Sequence, residues 1–184
     1  LAREPELTVT GVELQPQACA LFRRTAEENG LQGRMHCLEG DLRQGLLSPG
    51  RFRLAVANPP YFPPDAGAVA PDAARRTARA ETDCTLSQLC AAAARALTWG
   101  GSFCLVHRPD RLADVLEELR RVRLEPKRLR FVHHTAAAPP SLFLLEARLG
   151  GGVGLTVEPP LLLHGPDGGE TEDVRRAYFR DKEE

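Results

Sequence analysis

The chain has 184 residues and a mass of 20.1 kDa, with 42% hydrophobic and 27% charged residues, which fits one ordinary globular domain and excludes collagen-like or disordered chains. Twenty-four Lys plus Arg against 25 Asp plus Glu leave a net charge of −1; that excludes a dedicated polycation but leaves room for a local basic face. No apolar run reaches the roughly 18 residues of a membrane-spanning helix, and Cys19, Cys37, Cys84, Cys90 and Cys104 form no C-x-x-C pair, so reduced thiols, a cytoplasmic location and no metal site are expected.

The β-branched stretch 7–14 predicts a strand. Pro16 then suits a first helical turn, Ala18, Leu21, Phe22 and Thr25 share one helical face, and Asn29-Gly30 ends the helix. Residues 34–39 predict a second strand closing at Gly40-Asp41. Residues 52–57 predict a third, apolar enough to be covered on both faces as in a parallel sheet. Residues 63–83, rich in Pro, Ala, Asp and Arg, read as a long exposed loop. Thr85-Leu-Ser-Gln88 is a capping box with Cys84 and Leu89 as a hydrophobic staple, opening a helix that runs to Leu97 and stops at Gly100-Gly101. Strand 102–107 follows, then a helix with Leu112, Val115, Leu116, Leu119 and Val122 on one face. Strands 129–133 and 142–148 make a hairpin-like ending, and 150–184 is a Gly- and Pro-rich tail with a charged end. This order predicts a mostly parallel open α/β sheet with an antiparallel edge, in a domain of residues 1–150 whose tail, 151–184, packs on or extends it.

Ligands of such sheets bind outside the carboxyl ends of the strands. Glu13 closes the first strand, where an acid can accept from a ribose diol, or simply favour the following helix through its dipole. Asp41 closes the second; it is either an acceptor for an adenine amine, with Leu42 against the ring, or a turn aspartate. The third end, Asn58-Pro59-Pro60-Tyr61, is more specific. Two prolines remove two backbone donors and leave their carbonyls pointing outward. An asparagine amide oxygen beside such a carbonyl makes paired acceptors, which an NH2 group needs. Tyr61 adds a flat face on which a ring carrying that amine can stack, worth about 1–3 kcal/mol.

Asn58-Pro59-Pro60-Tyr61 resembles the motif of class I S-adenosylmethionine (SAM)-dependent amino-methyltransferases, and Glu13, Leu14, Asp41 and Leu42 fall where that fold places cofactor contacts. The stretches Cys104-Leu-Val-His-Arg-Pro-Asp-Arg-Leu112, Leu124-Glu-Pro-Lys-Arg-Leu129, Glu158-Pro-Pro-Leu and Thr171-Glu-Asp-Val-Arg-Arg-Ala-Tyr178 are similar to the bacterial valine-tRNA adenine-N6 methyltransferase family. The resemblance implies a Rossmann-like fold, SAM as cofactor, tRNA as partner, Asn58, Pro59, Pro60 and Tyr61 as the amine clamp, and Asn58 also beside the cofactor. The same clamp suits a glutamine amide or guanine N2, and the surface alone could serve a non-catalytic RNA-binding module. The family's first strand and glycine-rich turn should precede the Glu13 strand, yet only six residues precede Leu7 and the first residue is leucine, so an amino-terminally truncated domain is expected.

For an RNA rim, residues 108–134 offer eight Arg/Lys against five acids, joined by Arg75, Arg76 and Arg79. The alternative is that the helix arginines pair with Asp114, Glu117 and Glu118. His107 reads as a packed histidine.

Overall fold

The computed structural model describes residues 1, 4–59 and 84–178. They fall into two compact units, Leu1–Ser48 and Pro49–Glu184.

The first unit is a β-α-β element. Strand β1 (Val9–Glu13) leads through helix α1 (Pro16–Glu28) to β2 (Met35–Glu39), which pairs parallel with β1 so that Glu13 stands opposite Glu39. Pro16 occupies the first helical turn, and Asn29 caps the end with its N–H on Thr25 and Glu27 carbonyls. Helix and strands close through Phe22, whose ring lies against Gly11. A Cβ there would stand 3.2 Å from it, so the strand can carry only glycine at that point without displacing the ring. Cys19 and Ala26 complete the buried seam.

The second unit holds six strands in the order β3-β4-β6-β5-β7, with β8 also on β5. Strand β3 (Phe52–Ala57) pairs parallel with β4 (Leu97–His107); between them come helix α2 (Leu86–Ala96) and, outside the described residues, the expected 63–83 loop. Helix α3 (Leu112–Arg121) then precedes β5 (Leu124–His133), which returns antiparallel as β6 (Pro140–Leu149) and places β6 between β4 and β5. One face is the core: Phe103, Leu105, Phe143, Leu145 and Leu129 from the strands meet Cys90 and Ala93 of α2 and Val115 and Leu119 of α3. The capping box forms as expected, Thr85 accepting from Gln88 N–H and donating its own N–H to the Gln88 side chain. Among the described residues no helix is long and apolar enough to cross a membrane.

Three details differ from the sequence expectations. Helix α2 ends at Ala96 rather than at the glycines, because Leu97 is buried and already pairs with Phe52. Strand β5 begins five residues early and carries Pro126, tolerated because the register shifts there. Strand β3 is covered on one face only: Leu54 is 50% and Val56 73% exposed. Between residues 151 and 178 the chain adds β7 (Thr156–Val157) and β8 (Leu161–Leu162), parallel to β5, and helix α4 (Glu172–Ala177), capped by Thr171. Arg130 ties it down by bonding the Pro159 carbonyl and pairing with Asp173.

Candidate functional site

Within the first unit the parallel pairing brings Glu13 and Asp41 to neighbouring strand ends. Gly40 N–H donates to the Glu13 carbonyl (2.9 Å), and Asp41 follows at once. Gly40 has φ +147°, and a Cβ there would stand 2.8 Å from Leu46 Cδ1, so this close turn depends on glycine. Glu13 is held from its own loop: Gln15 N–H donates to Oε1 (2.9 Å), and the Cys19 thiol donates to the Glu13 carbonyl. That leaves Oε2 as an acceptor at the strand end, which suits a ribose hydroxyl. Leu14 is exposed beside it and Leu42 is half-buried.

Asp41 caps the 3-10 turn Leu42–Gln44, accepting from Arg43 N–H (2.8 Å), while the Arg43 guanidinium grips both carboxylate oxygens at 2.6–2.9 Å. The guanidinium first, and the backbone N–H second, hold its carboxyl below the usual carboxylate range. The turn-aspartate alternative is therefore realised. An adenine amine could still approach a carboxylate oxygen, since each has a second lone pair. These residues fit the nucleoside half of SAM: a ribose acceptor, an adenine acceptor and an apolar neighbour on adjacent strand ends.

In the second unit Asn58 and Pro59 come directly after β3, at its carboxyl end, Asn58 exposed and Pro59 half-buried. Asn58 and Pro59 therefore lie at a carboxyl strand end, where sheet ligands bind. Pro60 and Tyr61 lie outside the described residues. His107, at the carboxyl end of the neighbouring β4, is 4% exposed, accepts Arg108 N–H on Nδ1 (2.9 Å) and stacks on Phe143. Burial, then the nearby Arg111 charge, keeps it more acidic than an ordinary histidine. It is a packed, buried ring. His134 meets His164 edge-on, and among the described residues no three potential ligands converge on a metal position.

The rim expected over 108–134 is largely self-neutralised. Arg108 pairs with Asp110, Arg111 with Asp114, Arg120 with Glu125, Arg121 with Glu117 and Glu118, Arg128 with Glu146 and Glu158, and Arg130 with Asp173. Lys127 donates to the Gly152 carbonyl. Arg75, Arg76 and Arg79 lie outside the described residues. Counting charge along the sequence could not separate these occupied arginines from those without an ion pair, of which Arg123 lies in this same stretch.

No protein-family model matches the chain. Among curated proteins it is 31% identical over 150 residues to a tRNA1(Val) (adenine(37)-N6)-methyltransferase of Porphyromonas gingivalis, covering 79% of this chain and 58% of the relative. It is 34% identical over 116 residues to the enzyme of that name from Yersinia enterocolitica, covering 62% of this chain and 45% of the relative. The chain spans about half the length of these relatives. Among solved structures, a predicted O-methyltransferase of Agrobacterium tumefaciens superposes with a TM-score of 0.72 at 19% identity, over 90% of this chain and 74% of the other. A geranyl diphosphate C-methyltransferase of Streptomyces coelicolor with S-adenosyl-L-homocysteine reaches 0.57 at 13% identity, over 80% and 64%. The [4+2]-cyclase SpnF reaches 0.59 at 16% identity, over 82% and 69%. The fold is thus that of class I methyltransferases, and the cyclase is a reminder that this fold does not by itself fix the reaction.

Proposed function

We propose that this protein transfers a methyl group from SAM to the N6 amine of an adenine in tRNA, in the cytoplasm. The observation that carries the reading is Asn58-Pro59 seated at the carboxyl end of β3, opening the Asn-Pro-Pro-Tyr sequence. Similarity to the tRNA1(Val) (adenine(37)-N6)-methyltransferases of Porphyromonas gingivalis and Yersinia enterocolitica supports the substrate.

Asn58 and the Pro59 carbonyl each accept one N–H of the target amine. An exocyclic adenine nitrogen is a poor nucleophile because its lone pair is delocalised into the ring. Two acceptors on its hydrogens draw it toward tetrahedral geometry and free the lone pair along a fixed direction. That contribution is orientation and stabilisation of developing positive charge, with no general base. The proton leaves to water after transfer, because a ring-conjugated ammonium is strongly acidic. Glu13 holds a ribose hydroxyl, and Asp41 with Leu42 the adenine. SAM, when bound, supplies the methyl group activated on a sulfonium. Tyr61 would stack on the target base and offset the few kcal/mol of taking it out of its stack.

The test is methyl transfer to tRNA by the wild type and by Asn58→Ala, alongside calorimetric titration with S-adenosylhomocysteine. The variant should lose transfer by at least about a hundredfold, the scale of one positioned transition-state contact, and keep cofactor affinity. Retained transfer removes the clamp assignment. Transfer to a protein glutamine or to guanine, but not adenine, removes the substrate.

A further inference from the structure

Against the neutralised rim, five arginines stand out. Arg51, Arg53, Arg95, Arg123 and Arg148 are all exposed, and among the described residues none forms an ion pair. The sheet gathers them at one end. Gly50 and Arg51 donate their N–H groups to the Arg95 and Ala96 carbonyls (2.9 Å each), which joins the start of β3 to the end of α2. A Cβ on Gly101 would stand 3.2 Å from the Arg53 carbonyl. Arg148 lies opposite Ser102 across the β4–β6 pair, and Gly150 N–H donates to the Arg123 carbonyl (2.8 Å). The acid nearest in register, Glu125, is engaged by Arg120, and Glu117 and Glu118 by Arg121.

At the centre is Trp99, 66% exposed. Pairing passes from Phe52–Leu97 to Leu54–Ser102, so residues 98–101 bulge outward against a single residue of β3. The bulge is braced rather than loose. The Arg123 guanidinium lies 4.8 Å from the Trp99 ring centroid, and Gly150 sits so close to the six-membered ring that a Cβ would stand 2.2 Å from Cζ2. Arg123 itself holds φ +63°, rare for a residue with a side chain. A large aromatic is thus presented to solvent among like charges that repel one another unless an anion joins them.

We propose that this amino-terminal end of the sheet is a second RNA contact, in which the arginines take backbone phosphates and Trp99 stacks on an unpaired base. It rests on the tRNA reading above. Arginine forks suit phosphate, and an aromatic beside them accepts any base face. Arg53 is five residues from Asn58 along β3, about 16 Å at a strand's rise per residue. One RNA can therefore lie on the patch and still reach the clamp end of the same strand.

The test is equilibrium binding of the intact protein to tRNA and to a short RNA hairpin of unrelated sequence, over a series of KCl concentrations. The variants are R53Q/R95Q/R148Q, Trp99→Leu, and the charge-matched control R24Q/R111Q/R176Q, whose arginines are ion-paired on helix faces or beside them. The triple variant should flatten the slope of log K against log salt by about 2 to 3, one phosphate for each arginine, and weaken binding about tenfold or more. Trp99→Leu should weaken binding about fivefold or more without changing the slope. RNA should quench Trp99 emission, the protein's one tryptophan. Cofactor affinity should hold throughout. An unchanged slope in the triple variant, an equal loss in the control, or no RNA binding by the wild type overturns the proposal; so does selective capture of an acidic protein instead of RNA. Patch-dependent RNA binding without adenine methylation leaves the surface standing and removes the substrate reading. Methylation with patch-independent binding does the reverse.

Discussion

Gly150→Ala probes the braced bulge directly. Gly150 has φ +69°, and an added Cβ would stand 2.2 Å from Trp99 Cζ2 and 2.5 Å from two further ring carbons. Two costs follow. Alanine in the left-handed region costs about 1–2 kcal/mol. The ring must also swing away, forfeiting its contact with the Arg123 guanidinium, about 0.5–1 kcal/mol at an exposed site. The sum is about 1.5–3 kcal/mol, measurable by urea unfolding followed with far-ultraviolet circular dichroism. Because Trp99 is the lone tryptophan, its displacement should also appear as a red-shifted native emission. Gly152→Ala is the control: a Cβ there meets nothing within 4 Å, so the change should be neutral or slightly stabilising. In a Trp99→Leu background the smaller side chain can yield, so Gly150→Ala should cost only about 1–2 kcal/mol, the backbone part. A cost below about 0.5 kcal/mol in the wild type, or the same cost in both backgrounds, would refute the assignment of the clash to the ring.

Thr85→Ala should cost about 1 kcal/mol in thermal unfolding while Thr85→Ser costs little, because the hydroxyl on Gln88 N–H is what caps α2. Asp41 has a folded-state carboxyl below the usual range because of Arg43, so its contribution to stability is full above about pH 4 and fades as pH falls through the lowered value. Stability curves of the wild type and Asp41→Asn should therefore differ near neutrality and converge in acid; a gap that widens on acidification would reverse the assigned sign. Burial, aided by the Glu118 charge, pushes the Cys90 thiol up to about 12. At pH 8 only about one in ten thousand of these thiols would be ionised, so iodoacetamide should miss Cys90 in the folded protein and modify it in denaturant.

What the sequence by itself determined was carried by near neighbours. Thr85 and Gln88 meet within one helical turn, Pro16 and Asn29 bound a helix from its own ends, and Asn58-Pro59 follows its strand with no intervening residue. Such signals depend on backbone geometry over a few residues, so they are legible before any tertiary contact forms. The tertiary structure decided everything that depends on a partner far along the chain. Gly100-Gly101 looked like a stop and instead lies inside a strand, because Leu97 finds Phe52 across 45 residues. The tail is held because Arg130 finds Asp173 and the Pro159 carbonyl. Arginines of the same type in the same stretch divided into paired and uncommitted by which carboxylates the sheet register set beside them. A charge is free or spent only in three dimensions, since an ion pair is a matter of distance through space, on which separation along the sequence is silent.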